Sequence, residues 1–196
     1  MSFQILDKFA DGDWRILLEQ YRAGKITVGY FNTKVFSTIK ASRQALVDFV
    51  RNYQGIRPGF RELVNFCNQR DIEFFVVSNG LDFYIDFILE NLGLNQVKVI
   101  AAKTEFNPNG MKVSYIGPNG DVLLDKFKEA YTKLYTGKGY QVIYIGNGFS
   151  DFSSARLSYR VFARDELIDC CKKADLEYTP FDDLNDVIKG LQDVKS

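Results

Sequence analysis

Over residues 3–54 apolar side chains recur at Phe3, Ile5, Leu6 and Phe9, then at Ile16, Leu17, Leu18 and Tyr21. That spacing is near 3.6 and predicts short amphipathic helices, punctuated by Gly12 and Gly24. Two further segments, from Ile26 to about Ser37 and from Ser42 to Tyr53, keep the same period, and Ser42 is placed as an N-cap. The first quarter of the chain therefore reads as a small helical bundle. The pattern changes at Gly55-Ile56-Arg57-Pro58-Gly59, where two glycines and a proline suit a link between subdomains.

Beyond that link helix and strand alternate. A helix from about Phe60 to Gln69 leads into the apolar run Ile72 to Val77, the signature of a strand covered on both faces, and then into Ser78-Asn79-Gly80. A helix over Leu81 to Leu92 ends at Gly93, a natural glycine for a helix terminus. Strand-like segments Val97 to Phe106 and Met111 to Gly117 flank Asn107-Pro108-Asn109-Gly110, where Asn-Gly marks a hairpin turn. The spacing then predicts a helix from about Val122 to Tyr135. A second buried strand, Val142 to Ile145, opens into Gly146-Asn147-Gly148-Phe149-Ser150-Asp151. A helix from Ser153, a strand at Arg160 to Ala163, and helices over Asp165 to Lys173 and Leu184 to Gln192 complete the chain. This order predicts an α/β fold with a Rossmann-like parallel sheet flanked by helices, over residues 55–196. A helical-bundle cap over residues 1–54 precedes it, and a β-hairpin is inserted.

Composition narrows the function. At 196 residues the chain has room for one ordinary domain and a small appended subdomain. Lys plus Arg is 25 and Asp plus Glu is 25, so no charge surplus recommends nucleic acid or an anionic membrane as partner. The absence of histidine excludes Ser-His-Asp and Cys-His catalysis, imidazole metal sites and a phosphohistidine intermediate. Cys67, Cys170 and Cys171 form neither a CxxC pair nor an even disulfide framework, which suits a reducing cytosol. The opening Met1 to Trp14 carries acids and no long apolar stretch, unlike a secretory leader, and no run approaches the ~20 apolar residues that span a bilayer. A cytoplasmic protein is expected.

In open α/β sheets ligands bind at the carboxyl ends of strands. Ser78-Asn79-Gly80 falls there, and offers a hydroxyl and backbone N–H groups either to a phosphate or simply as a helix cap. In Gly146 to Asp151 two glycines allow close approach and Asp151 supplies a carboxylate. Such a loop suits Mg²⁺ held together with a substrate phosphate, or equally a turn whose acid faces a helix dipole. Lys126 and Lys128 lie on the intervening helix, and spacing alone singles out neither.

Taken in order, Arg57-Pro58-Gly59-Phe60-Arg61-Glu62-Leu63, Val76 to Ile85, Tyr144 to Asp151, Val161 to Asp165 and Tyr178-Thr179-Pro180-Phe181 resemble the haloacid dehalogenase superfamily. The subgroup is the phosphoserine phosphatase-like one with a helical cap, and within it the 2-hydroxy-3-keto-5-methylthiopentenyl-1-phosphate phosphatases. The resemblance implies a phosphomonoesterase that acts on a small phosphorylated metabolite through an aspartyl-phosphate. It further implies that Ser78, with the backbone of Asn79 and Gly80, holds the phosphoryl group. Lys126, in preference to Lys128, would balance its charge, and Asn147 and Asp151 would hold Mg²⁺.

Two departures accompany the resemblance. The DxDxT motif that supplies the family's nucleophile and its acid/base is absent, and Asp11-Gly12-Asp13 and Asp182-Asp183 follow no buried strand. Asn147 stands where many relatives have Asp, which weakens a cation site. The expectation is a phosphatase sequence truncated before its nucleophile, with little activity as written. The alternative is a non-catalytic relative that binds a phosphorylated ligand or regulates. Neither the substrate nor the oligomeric state is legible.

Overall fold

The computed structural model describes residues 1–192 apart from Asn52 and Gln54. In chain order the elements are α1 (Ser2–Phe9), α2 (Arg15–Arg22), α3 (Val28–Phe36), α4 (Arg43–Val50), α5 (Phe60–Gln69), β1 (Phe75–Leu81), α6 (Asp82–Asn91), β2 (Lys98–Asn107) and β3 (Gly110–Ser114). They continue with α7 (Phe127–Gly137), β4 (Ile143–Gly146), a 3-10 turn (Phe149–Asp151), α8 (Phe152–Ala155), β5 (Arg160–Ala163), α9 (Glu166–Lys173), β6 (Thr179–Pro180) and α10 (Leu184–Leu191). Two compact units result. One is Met1–Gly55 with Phe75–Phe127, the other Ile56–Phe74 with Lys128–Ser196. The composition change at residue 55 marks where the helices end, but β1, α6 and the β2–β3 hairpin pack with those helices and share their unit.

In the first unit α3 and α4 begin where the sequence supplies oxygen caps. Thr27 Oγ1 accepts from the Tyr30 N–H and Ser42 Oγ from the Ala45 N–H, both at 3.2 Å. Their inward faces, with Phe31, Val35 and Phe36 on α3 and Leu46, Val47 and Val50 on α4, are buried. The sheet of this unit runs β1-β2-β3, with β1 and β2 parallel and β2 and β3 antiparallel across the Pro108-Asn109 turn. Strand β1 starts at Phe75 rather than at Ile72, because Ile72 and Phe74 are drawn into the core of the other unit.

The helix expected from Val122 starts only at Phe127. Gly117 to Asp121 close a turn in which the Gly117 N–H donates to the Asp121 carbonyl at 2.7 Å, and Gly120 has a φ of +87°, a value that favours glycine. Val122 bridges Ile116, and the Leu123 N–H donates to the Tyr115 carbonyl at 2.8 Å, so the apolar run that resembled a helix start folds back as a strap.

The second unit is layered. Its sheet, β4-β5-β6, is parallel throughout. The period-two alternation of β5 sends Phe162 to one face, where it packs with Leu63 and Cys67 of α5 and Leu184, Val187 and Leu191 of α10. Val161 and Ala163 point to the other face, against Ala155 of α8 and Leu167 and Cys171 of α9. Both faces are thus helix-covered, as the continuous apolar strands require.

Candidate active site

Three residues of β1, Ser78, Asn79 and Gly80, stand opposite the single Ala101 of β2. The ladder pairs Val77 with Ile100 and resumes only at Leu81 with Ala102. Such a bulge pushes backbone out of the sheet and re-aims its side chains. Within it the Gly80 N–H donates to Ser78 Oγ at 3.0 Å. The hydroxyl oxygen is therefore already an acceptor, and its own proton remains to be donated. The Asn79 carbonyl accepts from Tyr115 Oη at 2.7 Å and from Asn32 Nδ2 at 3.1 Å, and Asn32 Nδ2 also donates to Tyr115 Oη. Gly80 is favoured for a packing reason, since a Cβ there would collide with Tyr84 Oη.

At the end of β4 the loop Asn147-Gly148 closes on Asp151. Its Oδ2 accepts from the Asn147 N–H at 3.0 Å and the Gly148 N–H at 2.9 Å. Its Oδ1 accepts from Lys128 Nζ at 2.5 Å and from Tyr144 Oη at 2.8 Å. Asp151 is 6% exposed and Lys128 14%. Burial alone would push the Asp151 carboxyl up. The adjacent Lys128 ammonium and the bonds from Lys128, Gly148 and Tyr144 more than offset this, and the carboxyl is held below its ordinary range. Burial, and then the neighbouring carboxylate, push the Tyr144 phenol well above its ordinary value, so it stays a neutral donor.

The lysine that meets Asp151 is thus Lys128, in the first turn of α7. Lys126, the residue preferred from sequence, precedes that helix, is exposed, and has a φ of +55°. Ser78, Asn79 and Gly80 are brought together in the first unit; Lys128, Asn147 and Asp151 are brought together in the second. The Gly80 N–H, expected to face a ligand, is given to Ser78 instead. Sequence reasoning missed Tyr144, Asn32 and Tyr115. The available signal was a phenol inside the aliphatic run of β4, because a buried tyrosine hydroxyl needs a partner.

The family profile of the haloacid dehalogenase-like hydrolases matches residues 9–156. The chain belongs to that family. Curated relatives named 2-hydroxy-3-keto-5-methylthiopentenyl-1-phosphate phosphatase include one from Brevibacillus brevis, 30% identical over 97% of this chain and 88% of the relative. Another, from Geobacillus kaustophilus, is 30% identical over 96% of this chain and 87% of the relative. Among solved structures, phosphoserine phosphatase from T. onnurineus superposes with a TM-score of 0.65 at 14% identity, over 92% of this chain and 81% of that one. A substrate-bound phosphoserine phosphatase gives 0.66 at 20% identity, over 90% and 83%. These structural likenesses confirm the α/β fold with its helix-flanked parallel sheet.

Phosphatases of the haloacid dehalogenase family generally use Mg²⁺. The donor set in this chain does not fit one by itself. An ionised carboxylate offers about four lone-pair sites, and Lys128, Tyr144, Asn147 N–H and Gly148 N–H fill those of Asp151. That leaves the exposed, neutral Asn147 amide, a poor ligand alone. No group of three or more metal-ligating Cys, Asp or Glu side chains occurs among the described residues. In this structure Asp151 is accordingly the anchor of a lysine.

Proposed function

We propose that this chain carries the phosphoryl-binding machinery of a phosphomonoesterase that acts on a small phosphorylated metabolite through an aspartyl-phosphate. The observation that carries the proposal is the Lys128–Asp151 pair. A buried carboxylate fully engaged by its own loop fixes an ammonium at the end of a parallel strand, where a phosphoryl dianion would be stabilised. Two protons of that ammonium remain beyond the one given to Asp151. Within the first unit, Ser78 by itself offers a neutral donor of the polarity a phosphoryl oxygen accepts. The name of the curated relatives makes 2-hydroxy-3-keto-5-methylthiopentenyl-1-phosphate the first substrate to test.

In this proposal the nucleophile is an aspartate outside these 196 residues. Asp151 is spent on Lys128, and Ser78 has no base to activate it. An aspartate oxygen would attack phosphorus as the ester P–O bond breaks, and the alcohol would leave with a proton from the second aspartate of the family's DxDxT motif, which would take a proton back from the water of the next step. Water would then attack the acyl phosphate and release inorganic phosphate, regenerating the carboxylate. Lys128 serves both steps by stabilising charge on the phosphoryl oxygens.

The test is release of phosphate from an aryl phosphate and from the named substrate, with Mg²⁺ present. The chain as written is compared with one extended at its N-terminus by a strand ending in DxDxT. The extended form is expected to turn over, and to lose about 10²-fold or more in kcat on Ser78→Ala or Lys128→Met. Robust turnover by the 196-residue form would overturn the assignment of the nucleophile. Equal inactivity of both forms, with phosphate still bound, would favour a binding module.

A further inference from the structure

We infer that Asn32 and Tyr115 are positioning residues for the Ser78 hydroxyl, acting through the peptide group between Asn79 and Gly80. The inference rests on the preceding proposal only for what that hydroxyl meets, a phosphoryl oxygen.

The peptide group is planar, and in its trans form the C=O and N–H point in opposite directions. Holding one end therefore aims the other. The carbonyl end, on Asn79, is held twice, by Tyr115 Oη at 2.7 Å and Asn32 Nδ2 at 3.1 Å. The N–H end, on Gly80, reaches Ser78 Oγ at 3.0 Å. Asn32 is 7% exposed and Tyr115 2%. Neither can exchange its partners for water without opening the core, so the carbonyl direction is imposed on the turn and not chosen by it. Asn32 also donates to Tyr115 Oη, which closes the three groups into a ring. Each donor proton in that ring has an acceptor within it.

The consequence falls on Ser78. A hydroxyl has one proton and two lone pairs and rotates to suit its neighbours. When the Gly80 N–H occupies a lone pair, the rotor is biased so that the proton points away from that amide. The hydroxyl then presents a donor, the polarity a phosphoryl oxygen requires. If the peptide turned over, the Asn79 carbonyl would face Ser78 and take the proton itself. Asn32 lies on α3 and Tyr115 just past β3. The helices and hairpin of the first unit thereby set the polarity of a hydroxyl on β1, although neither side chain touches the ligand.

Tyr115→Phe removes the donor and keeps the ring, which packs edge-on against Phe127 at 5.0 Å. Asn32→Ala is the second variant, should the first fold poorly. Two readouts separate positioning from mere packing. The first is hydrogen exchange of the Gly80 amide by NMR. Its protection is expected to fall about two- to tenfold in Tyr115→Phe, the effect of one neutral hydrogen bond, with amides of α3 and β2 unchanged. The second is titration with inorganic phosphate, whose affinity is expected to weaken by a similar factor in Tyr115→Phe and in Ser78→Ala, with no further loss when the two are combined.

Unchanged Gly80 protection overturns the relay whatever the turn binds. Equal phosphate affinity in the unaltered chain and Tyr115→Phe overturns its purpose. If the unaltered chain binds no phosphate while Gly80 protection still falls in Tyr115→Phe, the assignment of the ligand fails and the geometric relay is supported.

Discussion

At the end of β1 the groups that orient Ser78 are all neutral: two peptide atoms, an amide and a phenol. At the end of β4 an ammonium and a carboxylate meet at 2.5 Å, and a phenol and two backbone N–H groups complete the carboxylate. Both turns follow apolar strands and both present donors, but they reach that state by different physics. Neutral bonds are worth about 1 kcal/mol each and do not titrate near neutral pH. A buried ion pair depends on both partners, and removing one leaves an uncompensated charge. The first turn should therefore tolerate change in stability while losing precision, and the second should do the reverse.

The largest effect expected from this contrast is at Asp151. Asp151→Asn should lower the unfolding free energy by about 3–5 kcal/mol, measured by urea denaturation followed by circular dichroism. A pH series sharpens the result. The folded carboxyl is held below its ordinary 3.8, so its contribution is present above that value and disappears as pH falls through the lower folded value. Asp151→Asn should flatten that acid limb. A variant with the same acid limb as the unaltered chain would show that another carboxylate supplies it.

Next in size is Gly80→Ala. The added methyl meets Tyr84 Oη, which itself hydrogen-bonds Ser2 Oγ at 2.8 Å. Overpacking of this kind costs about 1–3 kcal/mol. Because the collision is with the hydroxyl, adding Tyr84→Phe should recover part of the loss, and thermal denaturation of the double variant decides the point. No recovery would place the strain in the backbone.

The smallest effect is on stability in Ser78→Ala, expected at about 1 kcal/mol because the half-buried hydroxyl gives up a single neutral bond. The same substitution should weaken phosphate affinity about two- to tenfold. A loss of stability comparable with that of Asp151→Asn would erase the distinction between the two turns.

The sequence made some of this legible and concealed the rest. Periodicity placed α3, α4 and α9 within a few residues and the Ser42 cap marked the start of α4, because an oxygen side chain and a clean apolar face are local signals. The apolar runs at 72–77 and 142–145 announced strands, but Ile72 and Phe74 fall in a different unit from Val76, and only tertiary packing assigns them. Val122-Leu123-Leu124 resembled a helix start because hydrophobicity does not reveal that Gly117 to Asp121 turn the chain back.

The resemblance, not the spacing, favours Lys126, and the observed helix start shows why Lys128 meets Asp151 instead. A helix beginning at Phe127 leaves Lys126 outside and puts Lys128 in the first turn. The four-residue spacing of Asn147 and Asp151 was visible, but whether that carboxylate faces a cation or its own loop depends on how the loop closes. Asn32 and Tyr115 lie 47 and 36 residues from Asn79, and no local pattern connects them.

The distribution of two rare residue types gives the chain a built-in pair of reporters. Its single tryptophan, Trp14, is buried in the first unit, while Cys67, Cys170 and Cys171 all lie in the second. Burial pushes the Cys67 thiol up to about 11, so the folded second unit holds it as an unreactive thiol. Intrinsic fluorescence therefore follows the opening of one unit, and the rate of alkylation at Cys67 follows the other. Without any added label, the two signals measure whether the units come apart as one cooperative body or in sequence.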